Sequence, residues 1–133
     1  MTHLVKLREQ QDKSGGFIAF IPLAFHSHNT DLTGIPRTTG RDDLMMMSLS
    51  RLMLDNFDHI KAFWIMLTPE IAALSLNYGA DDIDGTVTEE KITHMAGAET
   101  PTALTVDELL GLIHDAGRDP TERDTIYNIV KEY

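Results

Sequence analysis

Short apolar segments alternate with amphipathic segments along most of this chain. Residues 2–13 carry leucines among charged side chains and predict a helix, which Ser14-Gly15-Gly16 ends because glycine readily adopts the left-handed cap conformation. The run Phe17–Phe25 is continuously apolar, which is typical of a buried strand covered on both faces. Pro22 lies inside this run and cannot donate a backbone hydrogen bond, so the end of strand pairing stays open.

A second helix is predicted to follow the polar segment His26–Gly40, which we interpret as a long loop. Asp42-Asp43 begins this helix, since acidic side chains stabilise a helix amino end, and the pattern ends near Asp55. Residues at i, i+4, i+7 and i+8 predict its apolar face: Met45, Leu49, Leu52 and Met53. The run Met45-Met46-Met47 suggests metal or cofactor contact, but methionine fills irregular core gaps well, so core packing is the better interpretation.

Two further strands are predicted on either side of a third helix. Ile60–Leu67 reads as a buried strand with Phe63 and Trp64 in the core. Thr68-Pro69-Glu70 combines a cap, a first-turn proline and an acid, and predicts a helix that ends at Gly79. Its predicted inward side chains are Ile71, Leu74 and Tyr78. Ala80–Asp84 is the third, short strand.

The C-terminal part of the pattern is mostly helical. One helix is predicted from Thr88 to near Gly97. Another begins at Thr105, which forms a capping box with Glu108, and ends at Gly117. Its predicted apolar residues are Val106, Leu109, Leu110 and Ile113. The pattern beyond Asp119-Pro120 defines no element of its own, and we expect residues 1–133 to form one domain with a helical C-terminal tail.

This alternation of strands and helices predicts an α/β fold with a parallel sheet and right-handed crossovers. Three strands are too few to close a barrel, and a (β/α)8 barrel typically needs about 250 residues. The pattern therefore leaves two architectures open, a small open α/β sheet and the last part of a (β/α)8 barrel.

Composition narrows the classes of function. The chain has 11 basic and 21 acidic residues and a formal net charge of −10, which would repel a phosphate backbone, so no nucleic-acid partner is expected. Its apolar runs are shorter than a bilayer span of about 20 residues, and no leader pattern begins the chain. We expect a cytoplasmic protein without a membrane partner, and the absence of cysteine agrees with a reducing compartment.

A series of short motifs occurs in one order along the chain. They are Phe20–His26, Asn29-Thr30, Arg37–Gly40, Asp42-Asp43-Leu44, Ser50–Asn56, His59–Ala62, Gly79–Thr86, Glu89–Ile92, Ala96-Gly97-Ala98 and Arg123–Tyr127. Together they make residues 17–126 resemble the C-terminal half of the aminofutalosine synthase family, radical S-adenosylmethionine enzymes of the futalosine route to menaquinone. The related dehypoxanthinylfutalosine cyclases and deazaflavin-cofactor synthases share the general pattern. The motifs Asp81–Thr86 and Glu89–Ile92 are more similar to aminofutalosine synthase.

The resemblance implies the C-terminal part of a (β/α)8 TIM-type barrel. In the family, S-adenosylmethionine and a four-iron four-sulfur cluster on a CxxxCxxC motif deliver an adenosyl radical to a carboxyvinyloxy-benzoate, and aminofutalosine results after loss of a carboxyl group. This chain has no cysteine, so it is expected to supply substrate and cofactor contacts without the cluster and to be inactive alone.

Open strand edges invite association, so either a separate N-terminal barrel half or self-association is the expected partnership. Two alternatives remain: a non-catalytic α/β module that binds a nucleoside or acts as a scaffold, and an inert product of a broken gene.

Candidate site residues follow the first predicted strand, because reacting groups in such barrels lie on loops at the carboxyl ends of strands. His26 and Asn29 are placed there, where His26 either hydrogen-bonds a carboxylate, adenine or ribose or only ties down its own loop. Arg37 is a candidate bidentate partner for a substrate carboxylate. His28 is expected to face solvent. A metal site from His26 and His28 lacks further ligands nearby, so no metal is expected in this chain.

Asp82 and Asp84 alternate along the third strand and are predicted to point to one face. Buried carboxylates are costly without partners, so they indicate either a polar ligand, such as ribose hydroxyls, or a buried arginine. A turn in which Asp81 or Asp84 caps backbone amides is the alternative. Glu89, with Glu90, is either a substrate contact or a complement to the helix dipole. Arg123-Asp124 is interpreted as a salt-bridged anchor of the tail.

Overall fold

The structure is a computed structural model that describes residues 2–25, 31, 34–86 and 103–133. Its elements in chain order are α1 (Thr2–Ser14), β1 (Ala19–Phe20), α2 (Gly40–Met53), β2 (His59–Ala62), α3 (Trp64–Leu67), α4 (Pro69–Ser75), β3 (Asp82–Ile83), α5 (Val106–Asp115), β4 (Thr121–Arg123) and β5 (Ile129–Glu132). The helix predicted at residues 88–97 lies outside the described residues. None of the described helices is both long and apolar enough to span a bilayer.

Three parallel strands form the sheet in the order β1-β2-β3. Ala19 pairs with His59 in one register, and Lys61 pairs with Asp82 in the other. Strands that follow each other in sequence are therefore neighbours in space, and the predicted α/β fold with a parallel sheet is confirmed.

The two faces of β2 differ in chemistry. Ile60 and Ala62 are fully buried and join a core with residues of α2 and α4, including Met47. His59 and Lys61 alternate with them and point to the opposite face, because successive side chains of a strand leave it on opposite sides. The core thus lies between the sheet and the helices, and the second face is polar. We refer to it as the polar face.

The first strand is much shorter than predicted. Pairing is confined to Ala19–Phe20. Pro22 comes two residues after the end of this strand. The expectation of a buried strand over Phe17–Phe25 is wrong for most of its large side chains, which are 37–62% exposed: Phe17, Ile18, Ile21, Leu23 and Phe25. Among the described strands, β1 and β3 each pair with a strand on one side only, so both are edge strands of the sheet.

The second apolar run divides into two elements. Strand β2 ends at Ala62, and Trp64–Leu67 forms the single helical turn α3 instead of continuing the predicted strand. Trp64 is fully buried, so its core position is confirmed, and Phe63 packs against the core partly buried. An apolar run carries no period, so it does not separate a buried strand from a buried helix. The predicted third strand, 80–84, pairs only at Asp82–Ile83.

The boundary signals of α2 and α5 were predicted better than their buried faces. Thr39 and Asp42 form a capping box at the start of α2, and Thr105 and Glu108 form the predicted one at α5. The buried residues of α2 are Met47 and Ser50, followed by the buried cap residue Leu54, while the predicted Met45 and Leu52 are exposed. In α5, Leu109 is buried as predicted and Val106 is half exposed.

In α4 the inward residues are small, so the helix approaches the core closely. Ala72, Ala73 and Ser75 are buried, and the Ser75 hydroxyl donates to the Ile71 carbonyl. The prediction that Leu74 and Tyr78 point inward is wrong, since both are almost half exposed. Helical spacing predicts that one stripe is buried, but the neighbouring elements decide which one.

The tail after α5 is a β-hairpin. Gly117 ends α5 at a φ of +74°, and β4 then pairs with β5 in antiparallel orientation. The expected helical tail is therefore correct for Val106–Asp115 and wrong for 121–132.

Two glycines provide a matched test of this fold. Gly79 has a φ of +106°, and a Cβ there would lie 2.7 Å from the Cβ of Arg51, so Gly79→Ala should lower the free energy of unfolding by about 1–3 kcal/mol. Gly111 lies within α5 with open space around it, so Gly111→Ala should raise it by about 1 kcal/mol. Urea unfolding followed by circular dichroism measures both, and equal effects would contradict the described geometry.

Candidate functional site

Three charged side chains meet on the polar face where β2 lies beside β3. The Lys61 ammonium donates to Asp84 Oδ1 at 2.9 Å and lies 3.7 Å from Asp82 Oδ2. Because one lysine reaches both carboxylates, the prediction that Asp82 and Asp84 share a face is confirmed. All three side chains are at most 21% exposed.

Asp82 is held by the C-terminal hairpin. Arg123 donates to both of its oxygens, from Nε at 3.0 Å and from Nη2 at 2.6 Å, and the Tyr127 hydroxyl donates to Oδ2 at 2.7 Å. The Asp82 side chain is 9% exposed, so this bidentate pair compensates a nearly buried charge. The sequence predicted either a polar ligand or a buried arginine beside these carboxylates, and Asp82 has the arginine. Arg123 is also the tail anchor anticipated from the sequence.

The turn of the hairpin is organised so that Arg123 and Tyr127 point at the sheet. Asp124 accepts from the backbone amides of Ile126 and Asn128, both at 2.9 Å, and Tyr127 adopts the left-handed φ of 66°. The hydrogen bond from the Asn128 side chain is the main reason that the pKa of Asp124 lies below its ordinary value. The carboxylate therefore stays charged and keeps the turn closed.

Aromatic contacts complete the attachment. The guanidinium of Arg123 lies 4.1 Å from the centroid of the Tyr127 ring, and this ring stacks on His59 at 3.7 Å. His59 is the first residue of β2 and Asp82 the first of β3, so the hairpin rests on the amino ends of both strands. In the register of the two strands Lys61 is the partner of Asp82, and Asp84 lies two residues further along the chain.

Asp81 lies next to this cluster and connects elements of the fold. Its carboxylate pairs with Arg51, accepts from the backbone amide of Ile60 at 2.8 Å and contacts His59 Nδ1 at 2.6 Å. Of the alternatives weighed for Asp81 and Asp84, capping of a backbone amide applies to Asp81. Asp81 thus joins α2 to the start of β2.

An open cleft of about 1070 Å³ borders the cluster. It lies between β3, α5 and the hairpin, and its lining includes Lys61, Asp82, Asp84, Leu109, Ile113 and Arg123. The two carboxylates and two cations are formally neutral together, and the α5 side chains add an apolar wall. Such a cleft can accept a ligand with both polar groups and an apolar part.

The chain offers no thiolate ligand, because it contains no cysteine. Within residues 2–25, 31, 34–86 and 103–133, no group of three or more histidine or acidic side chains is arranged to hold a metal ion. An iron–sulfur cluster therefore does not fit the donor set of this chain.

The remaining candidates are not brought to this cluster by the described structure. Arg37 is described, is exposed, and is not among the residues that line the cleft. Five of the others lie outside the described residues: His26, His28, Asn29, Glu89 and Glu90. Lys61 and Tyr127 were missed. Strand alternation places Lys61 on the face opposite Ile60, and only the register of β2 with β3 shows that Asp82 shares this face. No local pattern indicates Tyr127.

Comparison with known proteins gives the chain its relatives. Residues 14–132 match the family model described as the CofH/MqnC C-terminal region. The chain is 50% identical to aminodeoxyfutalosine synthase of Thermus thermophilus and 44% identical to that of Streptomyces coelicolor, with 98% of the chain covered in each case. It is 43% identical over 96% of its length to 5-amino-6-(D-ribitylamino)uracil–L-tyrosine 4-hydroxyphenyl transferase of Methanoculleus marisnigri. The resemblance found in the motifs is confirmed.

These matches cover only part of each relative. The chain spans 36% of the Thermus thermophilus protein, 37% of the Streptomyces coelicolor protein and 36% of the Methanoculleus marisnigri protein. It therefore corresponds to a little over a third of their length, in the region that the family model describes as C-terminal.

The hairpin attachment has a spectroscopic signature. Burial, followed by the hydrogen bond to Asp82, raises the pKa of Tyr127 well above its ordinary value of 10.0. A pKa raised on folding stabilises the folded state below the unfolded pKa, and this contribution is lost as the pH rises through the folded value. Absorbance at tyrosinate wavelengths, taken as the difference between the unmodified chain and Tyr127→Phe, should show Tyr127 ionising at a pH well above its ordinary pKa.

Asp82→Asn should bring this ionisation closer to the ordinary value, because the amide removes the negative charge beside the hydroxyl. Glu122→Gln is the matched control, since Glu122 accepts from Tyr133 instead of Tyr127. An unchanged Tyr127 titration in Asp82→Asn would contradict the described contact.

Proposed function

We propose, on the premise that this chain belongs to the CofH/MqnC C-terminal family, that it forms the last strands and helices of a (β/α)8 barrel in a radical S-adenosylmethionine enzyme. The reaction proposed for the whole enzyme is formation of aminofutalosine on the futalosine route to menaquinone. The chain is 50% identical to the Thermus thermophilus synthase and 43% identical to the Methanoculleus marisnigri transferase. The higher identity favours the reaction of the synthase over that of the transferase.

The arrangement of the sheet is the observation that carries the proposal. Successive strands β1, β2 and β3 are parallel neighbours, and α2 and α4 both pack on the face of Ile60 and Ala62. In a (β/α)8 barrel the strands follow in order and the helices lie outside, whereas a doubly wound sheet carries helices on both faces. The order of strands and the charged second face support a segment of a barrel wall, with the polar face directed inwards.

Within this barrel, Lys61 and Asp84 are proposed as the contacts to substrate or S-adenosylmethionine. Asp84 Oδ1 accepts from Lys61, and both side chains border the cleft near the carboxyl ends of their strands, where barrel active sites lie. Hydroxyl groups of a ribose can donate to the carboxylate and accept from the ammonium. Asp82 is proposed to act indirectly, since Arg123 and Tyr127 already occupy its oxygens.

The other candidate residues retain the roles suggested by their chemistry. We propose His26 and Asn29, which follow β1 in the sequence, as polar contacts, and Glu89, which follows β3 in the sequence, as a further contact. Arg37 is proposed as a partner for a substrate carboxylate, and its exposed guanidinium leaves its donors accessible. Because the chain lacks cysteine, the thiolates of the cluster are proposed to come from a part of the enzyme that precedes this region.

A chimera tests the proposal directly. This chain replaces the matching C-terminal region of the Thermus thermophilus synthase, and the product is assayed by mass spectrometry with S-adenosylmethionine and the carboxyvinyloxy-benzoate. We expect aminofutalosine. A chimera that binds its cluster but makes none, or that makes only the product of the 4-hydroxyphenyl transferase from that enzyme's substrates, would overturn the proposed reaction.

Two substitutions in the chimera test the assigned contacts. Lys61→Met and Asp84→Asn should each lower kcat/KM by about 10- to 100-fold, the loss expected for a hydrogen bond to a charged group. Lys6→Met is the matched control, because Lys6 is exposed on α1 and should leave kcat/KM unchanged. If Lys61→Met behaves like Lys6→Met, the polar face is not the substrate wall.

A further inference from the structure

The Lys61 ammonium lies between two carboxylates and binds one of them. It is 2.9 Å from Asp84 Oδ1 and 3.7 Å from Asp82 Oδ2, so only the first contact is within hydrogen-bond distance. Asp82 is the less exposed carboxylate, at 9% against 21% for Asp84. A buried carboxylate has lost more of its hydration and therefore needs a cation more than an exposed one does. The binding of Lys61 to Asp84 instead of Asp82 therefore requires a cause.

Arg123 supplies that cause. It donates to both oxygens of Asp82, and Tyr127 adds a third hydrogen bond. A carboxylate offers about four lone-pair sites in total, so three of them are filled from the hairpin side. The positive charge of Arg123 also offsets part of the attraction that Asp82 exerts on Lys61.

We propose that Arg123 is a positioning residue, which satisfies Asp82 from the hairpin and thereby leaves the Lys61 ammonium on Asp84. Its effect on the reaction rests on the proposed function, in which Lys61 and Asp84 face the substrate. The proposal assigns the hairpin a role in the site, although the hairpin contacts the amino ends of the strands.

The guanidinium is well suited to this role because it is held on several sides. Its Nη1 donates to the Asp124 carbonyl at 2.9 Å, and its plane lies near the Tyr127 ring, which stacks on His59. The hydrogen bond to Asp82 is also the main reason that the pKa of Arg123 is raised, so the cation stays charged. Lys61, in contrast, has a flexible four-carbon stem and three donors, and can move between the two carboxylates.

Loss of Arg123 should therefore change the partner of Lys61. In Arg123→Met the nearly buried Asp82 loses both charge-assisted hydrogen bonds, and Lys61 is the cation nearest to it among the described residues. The ammonium should transfer from Asp84 to Asp82. The Lys61–Asp84 contact would then be weakened by a change at neither residue.

Double-mutant cycles on the purified chain measure this transfer without substrate. Lys61→Met, Asp84→Asn and the double variant are unfolded in urea, first with Arg123 present and then together with Arg123→Met. With Arg123, the coupling between Lys61 and Asp84 should change the unfolding equilibrium constant by about tenfold, and with Arg123→Met by about twofold or less. A parallel cycle with Asp82→Asn should show the opposite trend, with coupling rising to about tenfold.

A hairpin that only anchors the tail gives a different result. Arg123→Met would then lower stability overall and leave the Lys61–Asp84 coupling unchanged, which overturns the proposal. Tyr133→Phe is the control, because it removes the hydrogen bond to Glu122 within the hairpin and should leave the coupling at about tenfold.

If Arg123→Met does not fold, Arg123→Lys serves in its place. It keeps the charge and loses the bidentate contact, so the coupling should fall to an intermediate value, and no fall would overturn the proposal. Because these measurements need no reaction, a chimera that fails to make aminofutalosine leaves their outcome interpretable.

Discussion

The charge of Asp82 is the constraint on which the arrangement of the polar face depends. This carboxylate is 9% exposed in a sheet whose other face is filled by the apolar core, so it needs a cation close by. The cation is Arg123 of the C-terminal hairpin, 41 residues further along the chain. One ion pair thus attaches the hairpin to the sheet, brings Tyr127 onto His59 and shapes one side of the cleft.

The same attachment explains how a sheet of three short strands can carry a charged face. Among the described residues, α2 and α4 cover the apolar side of β2, and the hairpin covers the amino-end part of the polar side. The edge of β1 is different, because large apolar side chains around it are partly exposed. A covered core and a partly exposed apolar edge agree with the proposed segment of a larger barrel.

Local signals predicted more of this structure than long-range ones. The capping box of Thr105 and Glu108 depends on four consecutive residues, and the common face of Asp82 and Asp84 follows from strand geometry alone. Strand length and the buried face of α2 were predicted incorrectly, because both depend on which elements pack nearby. Arg123 is 41 residues from Asp82, so the sequence could indicate only that the carboxylates needed either a polar ligand or a buried arginine.

Asp82 and Asp84 are separated by one residue but differ in their free hydrogen-bonding capacity. Asp82 is saturated by Arg123 and Tyr127, whereas Asp84 has a single hydrogen bond to Lys61 among the contacts of the described residues. The four charged groups already balance, so an additional ligand charge here would lack a counter-ion. Neutral hydroxyl groups meet no such cost, since they can donate to Asp84 and accept from Lys61. Under the proposed function, this balance favours the ribose part of a ligand over a carboxylate at this position.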